Sequence, residues 1–181
     1  RCAEMNGLRF LNNQSLAVLI TPTESRHGEM RDIQIIGNQS ARGHIGVRTG
    51  GGLLLENVQI SGGTLPGIEI DTFYGPVSNV TMKGIRGFGF NATSTVSDTL
   101  ARALIDLTAL GYAAAGQAIP VHVMRGFRID DVWMESAFND TALVAFDDNA
   151  DAADATSNTI TLRSSTIITN SGIDCVEGAT G

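Results

Sequence analysis

A short phrase recurs along this chain and limits what it can fold into. A polar Asn or Asp precedes two apolar residues that flank one outward position: Asp32-Ile33-Gln34-Ile35, Asn57-Val58-Gln59-Ile60, Asn79-Val80-Thr81-Met82 and Asp131-Val132-Trp133-Met134. Asn158-Thr159-Ile160-Thr161-Leu162 is a shifted copy and Leu8-Arg9-Phe10 a looser one. Alternation with period two, rich in β-branched residues, is the pattern of a strand with one buried face. Gly37, Gly62 and Gly84 follow the first three copies, where a turning chain benefits from a residue that tolerates left-handed backbone.

A second apolar pair follows each copy: Val18/Ile20, Ile45/Val47, Ile68/Ile70, Phe88/Phe90, Val144/Phe146 and Ile173/Cys175. The phrase returns roughly every 25 residues, apart from one longer gap. Two short strands per repeat, with glycine at the corners, describe a solenoid whose strands stack in parallel about 4.8 Å apart. A left-handed β-helix would need a hexapeptide period, and an Ig-like sandwich would need regular antiparallel hairpins. The repeated Asn-Val-x-Ile phrase and Gly67-Ile68-Glu69-Ile70 resemble the right-handed parallel β-helix of the pectate-lyase-like superfamily. The resemblance implies an all-β solenoid; the repeat spacing gives about six coils in one domain over residues 1–181, and a chain that opens on Arg1 and closes just after a strand is read as an excerpt of a longer one. It says little about activity, because that superfamily spans polysaccharide lyases, glycosidases, phage tailspikes and surface proteins.

The aligned Asn57, Asn79 and Asn158, with Asp32 and Asp131 in similar places, are expected to stack at one corner and bond their own turn backbone. Residues 91–127 fall in the long gap. There Ser97-Asp98-Thr99 precedes Leu100, Leu104, Leu107 and Leu110, with Gly111 beyond, a spacing that predicts a short helix packed on the solenoid. An extra irregular coil using Val121 and Val123 is the alternative.

Composition narrows the partners. Twelve Lys+Arg against 19 Asp+Glu leave a net charge of −7, without the basic footprint of a nucleic-acid binder. No apolar run reaches the roughly 18 residues of a membrane-spanning helix. With 43% hydrophobic and only 17% charged residues, the chain has the material for a packed core.

Alternation places Gln34, Gln59, Thr81, Lys83, Trp133, Glu135, Thr161 and Arg163 outward on the first strands. Trp133, the only tryptophan, is then positioned to stack on a sugar ring, with Glu135 accepting hydroxyl bonds; on the outward row of the second strands Glu69, Asp71 and the following Tyr74 are further candidates for glycan recognition. The alternative is that the 91–127 segment covers it. Lys83, Glu135 and Arg163 suggest a charge ladder. Carboxylate pairs for glycoside chemistry are Glu69 with Asp71 and Asp130 with Asp131. Asp147, Asn149 and Asp151 match the opening of a calcium loop, but Ala152 and Asn158 stand where Gly and Glu belong, so calcium is a minor expectation and no other cofactor is expected. The polygalacturonase motifs are only imitated, by Gly43-His44-Ile45-Gly46 and the bare Asp pairs, and no Arg-Ile-Lys occurs.

Asn13, Asn38, Asn79, Asn91 and Asn139 head glycosylation sequons, consistent with a secreted or surface protein. Cys2 and Cys175, many coils apart, are not expected to pair. The sequence therefore predicts a structural or carbohydrate-recognising module of an extracellular assembly, leaning away from catalysis. Its partners are a glycan and neighbouring subunits, or the rest of its own chain, at open solenoid ends. The alternative is a polysaccharide lyase or glycoside hydrolase, including a tailspike-like depolymerase.

Overall fold

The computed structural model describes residues 2–12, 18–20, 27–37, 44–47, 50–71, 77–90, 92–93, 103–109, 112–114, 117–119, 124–136, 141–148, 160–163, 166–169 and 173–178. All regular structure among them is β-strand. The chain makes six passes. The first holds β1 (Cys2–Asn6), β2 (Arg9–Leu11) and β3 (Val18–Ile20), and the second β4 (His27–Ile36), β5 (Ile45–Val47) and β6 (Gly50–Gly51). The third holds β7 (Leu53–Ser61), β8 (Thr64–Leu65), β9 (Ile68–Asp71) and β10 (Val77–Ser78). The fourth is the longest: β11 (Thr81–Phe88), β12 (Ala92–Thr93), β13 (Ala103–Ala109), β14 (Tyr112–Ala114), β15 (Gln117–Ile119) and β16 (Met124–Arg125). The fifth has β17 (Phe127–Ser136) and β18 (Thr141–Asp148); the sixth has β19 (Ile160–Arg163), β20 (Thr166–Thr169) and β21 (Ile173–Gly178).

Each pass gives one or two strands to a large sheet ordered β1-β4-β7-β11-β17-β19, in which β2 also pairs with β4 and β20 with β17. It then gives one to a second sheet ordered β3-β5-β9-β13-β18-β21. The pairings in both sheets are parallel, and the hairpin of β14 with β15 is antiparallel. Smaller parallel sheets join β6, β10 and β16, and β8 with β12.

The long strands of the first sheet do not alternate evenly. Along β7 the buried positions are Leu53, Leu55, Val58 and Ile60, a step of three in the middle. The extra residue is Asn57, at φ 54°. Its register neighbours are Asp32 (φ 55°), Gly84 (φ 67°) and Asp131 (φ 53°), with Gly7 (φ 65°) at the top of the column. A left-handed residue inserts a bend that returns the next side chain to the core. Gly adopts it freely, and Asn and Asp tolerate it far better than branched residues do.

Two further columns repeat the device. Gly52, Asn79 and Gly126 precede the long strands; Asn12, Gly37, Gly62 and Gly89 follow them. The expected single asparagine corner is therefore corrected. Asn57 does stand with Asp32 and Asp131, and its amide donates to the Asp32 carboxylate. Asn79 belongs to a different column, and Asn158 lies outside the described residues. The true third copy of the phrase is Gly84-Ile85-Arg86-Gly87, hidden because glycine replaces the polar residue.

The helix expected around Leu104 and Leu107 is also corrected, since Ala103–Ala109 is the fourth strand of the second sheet. Residues 103–107 are all buried, and a run buried on both faces loses the period-two signature of a strand. Ile105 and Leu107 pair with Ile68/Ile70 and with Val144/Phe146, a place that the repeat spacing assigns instead to Phe88/Phe90. At the last strand the partner of Val144 is Val176, not Ile173 or Cys175. Ser97 to Leu100, Leu110, Gly111, Val121 and Val123 lie outside the described residues.

The core runs between the sheets. Ile33, Val58, Ile85 and Val132 form one inward column, each at most 1% exposed. Each such side chain contributes about 1.5–3 kcal/mol of hydrophobic stabilisation. In the next column Ile35, Ile60 and Met134 surround Gly87, and Leu104 fills that gap: a Cβ built on Gly87 would lie 2.4 Å from its Cδ1. Cys2 lies on the first pass and Cys175 on the sixth, at opposite edges of the strand order.

Candidate carbohydrate-facing surface

The outer face of the first sheet is divided by the left-handed column into two strips of different chemistry. Before the bend, one register column reads Asn6, Arg31, Glu56, Lys83, Asp130 and Arg163. The charges alternate, and Arg31, Glu56, Lys83 and Asp130 each have an ion-pair partner within the column or on the adjacent one. Arg31 bonds Glu56 and approaches Glu29 at 3.3 Å; Lys83 Nζ lies 3.7 Å from Glu56 Oε1; Arg128 Nε donates to Asp130 Oδ2 at 2.6 Å. The expected ladder thus includes Lys83 and Arg163 but not Glu135, which pairs in register with Ile168. The bend resets the alternation between Lys83 and the second half of the strand, which the sequence phrase does not display.

Beyond the bend the column reads Arg9, Gln34, Gln59, Arg86, Trp133 and Thr166. Here the side chains of Arg9, Gln34 and Gln59 make no hydrogen bond among the described residues, although Arg9 and Gln34 are exposed. Trp133 points outward and is partly buried; the Phe88 ring meets it edge-on at 6.3 Å between centroids. Phe88 comes from the neighbouring strand one step beyond the Gly87–Met134 pair, so it borders Glu135, which is exposed. Arg86 reaches across the bend: its Nη1 donates to the Asp131 carbonyl at 2.6 Å and its Nη2 to Asp131 Oδ2 at 2.8 Å. An outward indole beside Gln34 and Gln59, whose amides have no partner among the described residues, suits a hydroxyl-rich ring: an apolar sugar face can pack on the indole while amides and guanidinium meet its hydroxyls.

Asp130 and Asp131 do not form a working pair. Asp130 lies before the bend in the charge column and bonds Arg128, whereas Asp131 occupies the left-handed corner and bonds Arg86. One oxygen of Asp130, Oδ1, is shielded and has no hydrogen-bond partner among the described residues.

Glu69 and Asp71 lie on β9 in the second sheet, away from Trp133. The register sets Glu69 beside Asp106, and Thr108 between Asp71 and Asp147. The helical leucine spacing around Leu104 and Leu107 hides Asp106 in the sequence; the match of Ile105-Asp106-Leu107 to Ile68-Glu69-Ile70 is the signal that finds it. At 3% exposure Asp106 is closed to a polymer. The described strands of this sheet carry Glu69, Asp71, Asp106, Asp147, Asp148, Asp174 and Glu177, with no lysine or arginine. Among the described residues no group of three or more His, Cys, Asp or Glu is placed to hold a metal ion. Tyr74, Asn149, Asp151, Asn13, Asn38, Asn91 and Asn139 lie outside the described residues. Asn79 is exposed at its corner.

His44, which imitated a catalytic histidine motif, is wholly buried. Its Nε2 donates to the Thr64 carbonyl at 2.6 Å, its ring lies 6.4 Å from that of Phe90, and Nδ1 has no partner among the described residues. Burial pushes its pKa below the ordinary 6.5, opposed in part by the bond to Thr64. It is a core residue of the corner between β8 and β9. Among the described residues, no helix is long and apolar enough to cross a membrane. No protein-family model, curated protein or solved structure matches the chain.

Proposed function

We propose that the chain winds as a right-handed parallel β-helix resembling the pectate-lyase-like superfamily, and that the outer strip beyond the bend recognises a glycan without cleaving it. The observation that carries this reading is the contrast between the two strips: in one, Arg31 and Lys83 pair with Glu56 and Asp130 with Arg128, while the neighbouring column holds Arg9, Gln34 and Gln59 without a hydrogen-bond partner among the described residues and includes the outward Trp133. A purely structural face gains nothing from unpaired amides aligned over successive strands. Recognition is favoured over hydrolysis because both Asp130 and Asp131 are held by arginines and Asp106 is buried. The five sequons, with Asn79 exposed, support a place in an extracellular or surface assembly.

The test is a panel of neutral and acidic polysaccharides scored for both retention and released products. Retention without products, weakened at least tenfold by Trp133→Ala and less by Gln59→Ala, is the expected outcome, since an aromatic anchor and one amide bond differ by about that much. Products that vanish with Asp130→Asn would make the protein a depolymerase. Retention unchanged in Trp133→Ala would remove this face from consideration.

A further inference from the structure

Trp133 is one half of an aromatic pair. Phe88, from the neighbouring strand, meets it with the ring planes inclined at 60° and the centroids 6.3 Å apart. Rings so inclined do not stack face on face, and both side chains are only half-buried, so part of their π-surface stays open to solvent. The pair bridges two outward columns in the middle of the sheet. Gln59, Arg86 and Trp133 follow one another in the first; Ser61 and Phe88 stand in the second, with Glu135 one step past the Gly87–Met134 pair.

Glu135 is exposed and lies on the same face of β17 as Trp133, two positions along the strand. It makes no hydrogen bond or ion pair among the described residues. On its other side it stands in register with Ile168, and β20 carries no charged residue. Beyond the bend on β7, β11 and β17 the only cation is Arg86, and both of its terminal nitrogens bond Asp131. Those two charges cancel, so the carboxylate of Glu135 is the net charge beside the rings. Arg9, in the same column as Trp133, is four strands away, about 19 Å at the spacing of parallel strands, and is screened at that distance.

We infer that the sugar held at Trp133 carries a protonated amine, so that the strip takes a glycan containing unacetylated amino sugars. The inference rests on reading this strip as a glycan-recognising face. An ammonium group is drawn to the negative face of an aromatic ring, most strongly to an indole, and an adjacent carboxylate adds a charge-assisted bond. A neutral sugar would use the rings and leave the carboxylate solvated; a uronic acid would be repelled by it. Gln34 and Gln59, which carry no charge, then serve the hydroxyls of neighbouring sugars along the column. The chain's net charge of −7 favours a cationic polymer in the same sense.

The only tryptophan of the chain is the reporter, because its fluorescence follows binding at this place. Two glucosamine oligomers of equal length, one with free amines and one fully N-acetylated, are titrated at a pH where the free amines are protonated. The protein is expected to bind the free-amine oligomer about fivefold more tightly, as a cation–π contact and an exposed ion pair together give. Glu135→Gln should lower that preference to about twofold and leave the affinity for the acetylated oligomer unchanged. Glu4→Gln removes the same charge from an exposed position on the other strip and should leave the preference intact. Equal affinities for the two oligomers overturn the inference, as does binding of neither. Neutral polysaccharides retained through Trp133 in either case keep the underlying reading; none retained removes both. A preference that Glu4→Gln lowers as far as Glu135→Gln also overturns it, because the attraction then belongs to the charge of the whole chain.

Discussion

Single residues set the geometry of this protein through their backbone. Among the described residues, the non-glycine residues at positive φ are Asn12, Asp32, Asn57, Asn79 and Asp131, and each falls in one of three columns otherwise filled by glycine. Asn57→Ala is expected to lose about 1–2 kcal/mol, because a Cβ without a compensating polar group is strained there; Asn57→Gly should lose less. Gly84 is the gap in the middle column. A Cβ there would approach nothing closer than 3.6 Å, so Gly84→Asn should be neutral or stabilising by a few tenths of a kcal/mol, by restricting the unfolded chain. Thermal melts of the three variants separate these outcomes. His44 makes a different residue-scale prediction. Its pKa is lowered on folding, so the unfolded state binds the extra proton. Stability should hold above pH 6.5 and fall as pH drops through that value, and urea titrations of His44→Phe should show a shallower loss over the same interval. A wild-type curve no steeper than that of the variant would rule out His44 as the cause.

At the scale of elements, β13 shows how a strand can be mistaken for a helix. Its five consecutive buried residues include Leu104, which leaves the inward alternation of Ile105 and Leu107 to occupy the space beside Gly87. Leu104→Ala should cost about 2–5 kcal/mol by opening a cavity. Gly87→Ala should also destabilise, because its methyl would overlap Leu104. The double variant should cost less than the sum, since the smaller side chain makes room for the methyl. Additive losses in denaturant melts would mean that the two residues do not share that space. The charge column is a weaker contributor: its members are 30–61% exposed at the side chain where Arg31, Glu56 and Lys83 meet. Glu56→Gln should therefore cost under about 1 kcal/mol, and less in high salt.

For the molecule as a whole, parallel register means that each pass rests mainly on its two neighbours. Asp32 and Asn57 are 25 residues apart and occupy equivalent places. Deleting residues 32–56 joins Arg31 to Asn57 and preserves every column, so the shortened chain should still unfold cooperatively, at a lower temperature. Deleting 32–61, which joins Arg31 to Gly62 out of phase, should abolish cooperative unfolding by circular dichroism. Equal behaviour of the two deletions would refute the stacked-pass architecture. Charge is also partitioned at this scale: in the first sheet Arg31, Lys83, Arg86 and Arg128 pair with carboxylates, whereas the only charged residues on the second sheet's described strands are acids.

The strand character, the parallel repeat and most inward residues were legible from sequence because they depend on local alternation, which a buried face imposes wherever it occurs. The polar and glycine corner residues were legible too, as types that tolerate left-handed backbone. Their sorting into three columns was not, because Asn, Asp and Gly are interchangeable there and only the hydrogen-bonded register says which stands beside which. Register likewise assigned Asp130 to the charge column, set Asp106 beside Glu69, and put Phe88 against Trp133. Those are contacts between residues a full pass or more apart, and no local pattern encodes them. The outward direction of Trp133 follows from its own strand; the free amides leading to it exist as a surface only once the passes are stacked.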